Sequence, residues 1–137
     1  MSPFVDGAAL VDLAPLAAGL EVSGADATDY LQRMVSADVR KIEPEWFAPA
    51  TVMTAKGKTV AAFEVAMSPI EVGGFWIMTD PAAHGVLADS LERLVILEEV
   101  SFDRSPRFTP RFSVQGPGAE EALGNAFGGL PLSNASR

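Results

Sequence analysis

The chain has 137 residues and a hydrophobic share of 48%, enough to build the core of one globular domain of ordinary size. Cysteine is absent and histidine occurs once, which excludes disulfides, thiolate nucleophiles and cysteine-based or multi-histidine metal sites within these residues. The formal charge of −8 opposes contact with a polyanion, so nucleic acid is not an expected partner unless a local basic patch exists.

The N-terminal part predicts a strand followed by a helix. The first ten residues, MSPFVDGAAL, lack the basic and apolar regions of an export signal, and no apolar run is long enough for a bilayer, so a cytoplasmic location is expected. Gly19–Val22 predicts a short strand, and Ser23-Gly24 ends it and caps a helix from about Ala25 to Val35, with Asp26 in its first turn. Spacings of three and four predict the buried stripe of this helix: Ala27, Tyr30, Leu31, Met34 and Val35.

The middle of the chain predicts a β-hairpin. Residues 36–46 are polar and contain proline, hence a loop, and Trp46-Phe47 fits either a pocket wall or the core. In MTAKGKTVAAFEV, at positions 53–65, the Gly-Lys-Thr resembles part of a phosphate-binding loop, but Val52 stands where that loop needs glycine. Strand-period alternation follows instead, with Gly57 in the turn. One side carries Ala61, Phe63 and Val65, and the other carries Val60, Ala62 and Glu64.

The second half predicts further strands and two helices. Gly74–Thr79 is a strand, and Asp80 caps a helix from Pro81 whose apolar stripe is Val86, Leu87, Leu91, Leu94 and Val95. His84, near the start of this helix, is expected to be a neutral surface histidine. Two strands, Val100–Asp103 and Phe112–Gln115, precede a helix from Pro117 to about Phe127. The order β, α, β, β, β, α, β, β, α predicts an α+β fold with a mostly antiparallel sheet and two to three packed helices.

One basic stretch stands out from this acidic sequence. In SFDRSPRFTPRFS, at positions 101–113, arginines and phenylalanines alternate: Arg104, Arg107 and Arg111 with Phe102, Phe108 and Phe112. Such a pattern fits base stacking or an anion clamp. It also fits an extended connector held by two prolines, with phenylalanines in the core and arginines in water, and the acidic remainder of the chain favours this second interpretation.

Three stretches resemble a known superfamily in the same order and at similar spacing. They are VSGADATDYLQRMVSADV, MTAKGKTVAAFEV and VQGPGAEEALGNAFGGLP. Together they resemble the N-terminal part of the tetrahydrofolate-binding superfamily that contains the glycine-cleavage T-protein (aminomethyltransferase) and the YgfZ folate-binding proteins. The resemblance implies one YgfZ/T-protein-like domain over residues 1–137 with ferredoxin-like βαβ elements. It also implies a link to one-carbon metabolism or to iron–sulfur protein maintenance.

The sequence departs from that superfamily at two points. T-proteins carry an Asp-Asp pair in the second strand of the hairpin, where this chain has Ala61 and Ala62, and alanine cannot transfer a proton. The later family portions, including the Lys-Gly-Cys motif of YgfZ, have no counterpart here. The chain is therefore expected to be a short relative, a fragment, or one part of a complex completed by another chain.

The resemblance also implies where a ligand binds. In the family, one face of the second hairpin strand lines the folate pocket, and here that face carries Val60, Ala62, Glu64 and Ala66. Its single charge, Glu64, fits the two adjacent donors of a pterin edge, although a carboxylate facing solvent is the simpler interpretation. Lys56 and Lys58 fit either attraction of a folate glutamate tail or a role in solubility. The expected cofactor-binding residues are thus Glu64, Ala62 and Ala66, the expected ligand is tetrahydrofolate or a derivative, and no catalytic residue is assigned.

Two function classes remain at this point. The first is a non-catalytic folate-binding or scaffold module, and the second is a subunit or fragment of a folate-dependent aminomethyl or methyl transferase. No paired carboxylates share a strand face, which favours the first. Apolar strands such as Gly74–Met78 lack the cover of the later family portions, so a homodimer or a protein partner that supplies those portions is expected.

Overall fold

The computed structural model describes residues 7–12, 17–104 and 112–127. The chain divides into two compact units, residues 16–109 and residues 1–15 together with 110–137. A five-stranded sheet lies in the first unit and a two-stranded sheet in the second. That residues 1–137 act as a single domain stays a prediction.

The described residues form an α+β structure with antiparallel pairing throughout, which confirms the predicted fold class. In chain order the elements are β1 (Ala9–Asp12), β2 (Ala18–Ser23), α1 (Ala27–Met34), a 3-10 turn (Val39–Lys41), β3 (Phe47–Met53), β4 (Thr59–Met67), β5 (Phe75–Thr79), α2 (Pro81–Glu92), β6 (Ser101–Asp103), β7 (Phe112–Gln115) and α3 (Ala119–Phe127). The large sheet has the order β3-β4-β5-β2-β6. Helices follow β2 and β5, so strands β2, β4, β5 and β6 form a ferredoxin-like arrangement that β3 extends.

The core of the larger unit lies between one sheet face and the two helices α1 and α2. Alternation along β4 buries Ala61, Phe63 and Val65, as predicted. These side chains belong to one cluster with Leu31 of α1 and Leu87 of α2, among other residues. The large fully buried side chains contribute roughly 2 kcal/mol each to stability through burial of apolar surface. The helices cover one face of the sheet through these apolar contacts. The opposite face of the sheet is not covered by α1 or α2.

The predicted apolar stripe of α2 was wrong at three positions. The helix ends at Glu92, so Leu94 and Val95 lie beyond it, and Val86 is 54% exposed. The buried residues of the helix are Leu87, Ala88 and Leu91. The prediction left Ala88 out of the apolar stripe of α2 because its side chain is small. In the structure Ala88 is buried, and the buried face of the helix therefore lies away from Val86. The predicted cap is confirmed, since the Asp80 carboxylate accepts a hydrogen bond of 2.8 Å from the Ala82 amide.

Several element ends also differ from the predictions. Helix α1 begins at Ala27 rather than Ala25, because Gly24 has a φ of 119° and the Asp26 side chain accepts from the Glu99 amide instead of capping the helix. The hairpin is longer than predicted, since pairing continues to Phe47 opposite Ala66. Strand β1, which no sequence pattern predicted, exists through pairing with β7.

The outer edge of β3 is protected against pairing with another strand. The Thr51 carbonyl accepts from the Ser36 amide at 2.9 Å, and the Thr51 amide donates to the Ser36 hydroxyl at 2.8 Å. Pro49, two residues earlier on the same edge, has no amide hydrogen to donate. Edge-to-edge addition of a second chain at β3 would therefore lack both ladder hydrogen bonds of Thr51 and that of the missing Pro49 amide.

The smaller unit contains the pair β1–β7 and helix α3. Its strands pair antiparallel, with Leu10 opposite Val114. The Gly118 amide donates to the Gly7 carbonyl at 3.0 Å just before α3 begins. Helix α3 begins at Ala119, two residues after the predicted Pro117, with Glu120 and Glu121 in its first turn, where carboxylates suit the helix dipole.

The loop that follows α2 is stabilised by the carboxylate of Glu98. Its oxygens accept hydrogen bonds from the amides of Ile96 and Leu97 and from the Arg33 guanidinium. These hydrogen bonds, that of the Ile96 amide foremost, lower the pKa of Glu98 from 4.5 to about 2.

This pKa shift predicts an acid-dependent loss of stability. A carboxyl group whose pKa is depressed in the folded state stabilises the fold above its unfolded pKa, and that contribution disappears as the pH falls through the folded pKa. Glu98 should therefore contribute fully above pH 4.5 and lose its contribution between pH 4.5 and about 2. Thermal unfolding across this range should show a shallower pH dependence for Glu98→Gln than for the wild type, with Glu43→Gln as the control. Identical slopes for the wild type and both variants would show that the Glu98 hydrogen bonds do not persist in solution.

Candidate functional site

The outer face of the large sheet, opposite the helices, brings the predicted ligand residues together. Ala62, Glu64 and Ala66 alternate along β4 with the buried core residues and thus share this face. Ala62 is exposed, whereas Glu64 and Ala66 are half-buried. Val60, expected beside them, instead packs against the core cluster near the point where the β3–β4 register shifts. Three of the four expected residues therefore form one continuous row.

Neighbouring strands complete this outer face. The pairing of β4 with β5 places Trp76 opposite Ala66 and Met78 opposite Glu64. The pairing of β5 with β2 then places Glu21 opposite Trp76. Trp76 and Glu21 are only 7% and 8% exposed, although Trp76 is not part of the core cluster. The outer face thus combines an aromatic and thioether surface with two carboxylates.

Glu21 is a residue of this face that the sequence analysis missed. One of its carboxylate oxygens, Oε1, accepts a hydrogen bond of 2.5 Å from the Ser68 hydroxyl. The Ser68 oxygen accepts in turn from the amides of Ile70 and Glu71, and so orders the loop between β4 and β5. Strand alternation was the available signal, because Glu21 lies between the buried Leu20 and Val22 and must face away from the core.

Glu64 has the chemistry and position to accept hydrogen bonds from a ligand. It is half-buried, and its Oε2 atom is buried. A carboxylate presents two acceptor oxygens in one plane and can accept from two adjacent N–H donors at once. Glu64 is therefore only partly exposed to solvent, and its role in binding a ligand stays a prediction.

The remaining predicted residues lie in several places. Lys56 and Lys58 are exposed at the hairpin tip. Phe47 is 42% exposed and lies opposite Ala66, so it borders the outer face rather than the core. His84 is half-buried, with its Nε2 atom 2.7 Å from the Gly19 carbonyl oxygen. It connects α2 to β2 and is not the simple surface histidine that was predicted.

The two alanines at the family's acidic positions face opposite sides of the sheet. Ala61 is buried in the core, at 5% exposure, whereas Ala62 is exposed on the outer face. Only position 62 could therefore present a side chain to a ligand on the outer face.

Arg104 is held by the protein itself. Its guanidinium donates to both carboxylate oxygens of Glu92 and to Asp89. These two carboxylates raise its pKa above the ordinary arginine value. Phe102 packs partly against the core and edge-on against Tyr30. The burial of Phe102 agrees with the connector interpretation, whereas the ion-paired Arg104 and the 57% exposed Phe112 depart from it, and Arg107, Phe108 and Arg111 lie outside the described residues.

The described residues contain neither a candidate metal site nor a candidate membrane-spanning helix. Within residues 7–12, 17–104 and 112–127, no group of three or more histidine, cysteine, aspartate or glutamate residues could hold a metal ion. Over the same ranges, no helix is both long and apolar enough to cross a bilayer.

Comparison with solved structures relates this fold to a known enzyme. No protein-family model matches the sequence, and no curated protein is significantly similar to it. The crystal structure of the glycine cleavage system aminomethyltransferase T from Bartonella henselae is similar, with a TM-score of 0.69 at 16% sequence identity. The similarity covers 90% of this chain and 32% of that protein, so this chain spans about a third of its length. This chain accordingly has the fold of that part of an aminomethyltransferase T.

Proposed function

We propose that this chain is a non-catalytic module that binds a reduced folate, tetrahydrofolate or a derivative, on the outer face of its large sheet. The row formed by Ala62, Glu64 and Ala66 is the binding surface, with Trp76 beside it. The observation that carries the proposal is the position of Glu64 on this face, half-buried and next to an aromatic neighbour, within a T-protein fold.

The chemistry of the outer face supports a flat heteroaromatic ligand. Small side chains at Ala62 and Ala66 leave room for a ring to lie close to the strand, and the half-buried Met78 side chain adds polarizable apolar surface. The Glu64 carboxylate matches the paired N–H donors at the edge of a pterin. Lys56 and Lys58, at the hairpin tip, would attract the anionic glutamate tail of a folate.

We expect no aminomethyltransferase activity from this chain alone. Position 62 is the only one of the two family acidic positions that faces the outer side, and its alanine cannot move a proton or orient an amine. An assay with tetrahydrofolate and an aminomethyl-carrying donor protein should therefore give the rate of the enzyme-free control. Turnover above that rate would assign catalysis to this chain and end the non-catalytic proposal.

Glu64→Gln tests the ligand site directly. The substitution keeps the shape but removes the charge and one acceptor, so affinity for tetrahydrofolate should fall about tenfold or more, since such charged hydrogen bonds contribute roughly 1.5 to 3 kcal/mol. Isothermal titration calorimetry with tetrahydrofolate and folinic acid measures this change. Glu43→Gln, an exposed glutamate before β3, is the matched control and should bind as the wild type does. Equal affinities of the wild type and Glu64→Gln would remove Glu64 from the site.

A second candidate function is a subunit or part of a folate-dependent aminomethyl or methyl transferase that another chain completes. The observation in its favour is that the chain spans about a third of the similar aminomethyltransferase. In either case we propose that the chain works in an assembly, as a homodimer or with a protein that supplies further family portions. Sedimentation equilibrium over a concentration series separates a dimer from a monomer, and a monomer at all concentrations would contradict the homodimer.

A further inference from the structure

A loop distant in sequence from β4 presents several large aliphatic side chains to solvent. In the segment after α2, Leu94, Ile96 and Leu97 are 52%, 83% and 91% exposed. We call these three side chains the 94–97 ridge. Single exposed aliphatic residues are ordinary, but three within four positions concentrate apolar surface at one place, which is typical of sites that contact another molecule.

The backbone under the ridge is held in one conformation by hydrogen bonds. Glu98 Oε2 accepts from the Ile96 amide at 3.0 Å and from the Leu97 amide at 3.2 Å. Glu98 Oε1 accepts from the Arg33 guanidinium at 3.0 Å. The ridge is therefore preorganised, and binding to it costs less conformational entropy than binding to a mobile loop.

A second pair of hydrogen bonds fixes the far end of the loop. The Glu99 amide donates to Asp26 Oδ2 at 2.8 Å, and the Asp26 amide donates to the Glu99 carbonyl at 3.1 Å. The loop is thereby attached to the start of α1. An open groove of about 540 Å³ lies between the two, with Leu97 and Glu98 on one side and Asp29 of α1 on the other.

The surroundings of the ridge and groove carry an excess of negative charge. Arg33 and Arg40 line the groove, and each is already paired with a carboxylate, Arg33 with Glu98 and Arg40 with Asp29. Arg93, directly before the ridge, adds one positive charge. Two further carboxylates, those of Asp26 and Glu99, have no arginine or lysine partner among the described ion pairs. A partner that places positive charge here would complement this excess.

We propose that the 94–97 ridge and its groove are a docking surface for a protein segment that carries apolar side chains flanked by lysine or arginine. The ridge supplies aliphatic anchors, and the carboxylates of Asp26 and Glu99 supply the electrostatic match. A second copy of this chain fits less well, because a symmetric contact would place each acidic rim against the other. This surface is separate from the row of Ala62, Glu64 and Ala66, so the proposal does not depend on folate binding.

The test uses the full chain and a short synthetic peptide with leucine and lysine at helical spacing. Methyl NMR titration should show shifts at Leu94, Ile96 and Leu97. The double variant Ile96→Ser/Leu97→Ser should weaken peptide affinity by about tenfold or more, which corresponds to 1.4 kcal/mol or more. Val72→Ser is the matched control, since Val72 is fully exposed on the loop between β4 and β5 and should not affect binding.

A charge variant and a second peptide separate the contribution of charge to peptide binding from that of the apolar side chains. Glu99→Gln should lower the association rate and reduce its dependence on salt, whereas a peptide of leucine and glutamate should not bind at the ridge.

Both serine substitutions are at exposed positions, and unchanged thermal unfolding of the double variant would establish that its fold is intact. Equal binding of both peptides, shifts located elsewhere, or equal effects of the double variant and Val72→Ser would overturn the proposal. Self-association that the double variant abolishes would overturn it too, in favour of a second copy as the occupant.

Discussion

Gly24→Ala is expected to destabilise the fold by at least about 4 kcal/mol, a large fraction of the roughly 5–15 kcal/mol by which a globular domain is stable. A Cβ atom built at Gly24 would lie 2.1 Å from the Glu99 carbonyl oxygen, and that contact is with backbone. The φ of 119° at this position also disfavours any L side chain. The Glu99 carbonyl cannot move away cheaply, because it accepts the Asp26 amide hydrogen at the start of α1.

Gly57→Ala is the matched control for this prediction. Gly57 also has a positive φ, 81°, but a Cβ atom there would meet nothing within 4 Å. Only the backbone cost of about 1–2 kcal/mol should therefore appear. Urea unfolding of both variants, followed by circular dichroism, measures the difference. Similar midpoints for the two variants would show that the loop carrying Glu99 does not approach Gly24 as described.

Tyr30→Ala is the second substitution with a large expected effect, about 3–5 kcal/mol from loss of a buried aromatic side chain and the cavity left behind. Tyr30 is 1% exposed, and its hydroxyl donates to the backbone carbonyl of Leu91 near the end of α2. Its ring meets Phe102 edge-on, with centroids 6.2 Å apart. Burial raises the pKa of the Tyr30 hydroxyl, so it remains a protonated donor at neutral pH. One side chain thus connects α1, α2 and β6.

Tyr30→Phe separates the contribution of the Tyr30 hydroxyl to stability from that of its ring. It should cost about 1–3 kcal/mol, because it leaves the Leu91 carbonyl without the hydroxyl donor while the ring contacts persist. Urea unfolding of the wild type and both Tyr30 variants gives the contributions of the hydroxyl and of the ring to the free energy of unfolding. A loss for Tyr30→Phe as large as that for Tyr30→Ala would contradict the role given to the ring contact with Phe102.

Local patterns in the sequence predicted most of the larger unit. The alternation in β4 was strong because the core residues Ala61, Phe63 and Val65 come at strict intervals of two, and the helix start at Pro81 followed from Asp80. Strand β1 could not be predicted, since it depends on pairing with β7, whose residues lie 100 to 106 positions later in the chain. The start of α1 was placed two residues early because the Asp26 side chain binds the distant Glu99 amide, a contact without a local signal.

The candidate site was predicted in part. Alternation placed Val60, Ala62 and Glu64 on one face, and the resemblance added Ala66. The structure places Ala62, Glu64 and Ala66 there but turns Val60 towards the core. Alternation in β2 was enough to turn Glu21 away from the core, but the position of Glu21 and Trp76 beside the β4 row depends on the strand order β4-β5-β2, which the sequence did not specify. Val86 was wrongly assigned to the core because an alanine, Ala88, takes the buried position that a larger residue was expected to hold.

An NMR titration of the 137-residue chain with tetrahydrofolate is the most direct test of the proposed binding face. The proposal predicts amide shifts at Ala62, Glu64 and Ala66, together with a shift of the Trp76 indole N–H, that saturate with ligand and shrink in Glu64→Gln. Residues of the 94–97 ridge should not respond. No saturable shift up to about 1 mM ligand, or shifts confined to residues away from the outer face, would contradict the folate-binding proposal.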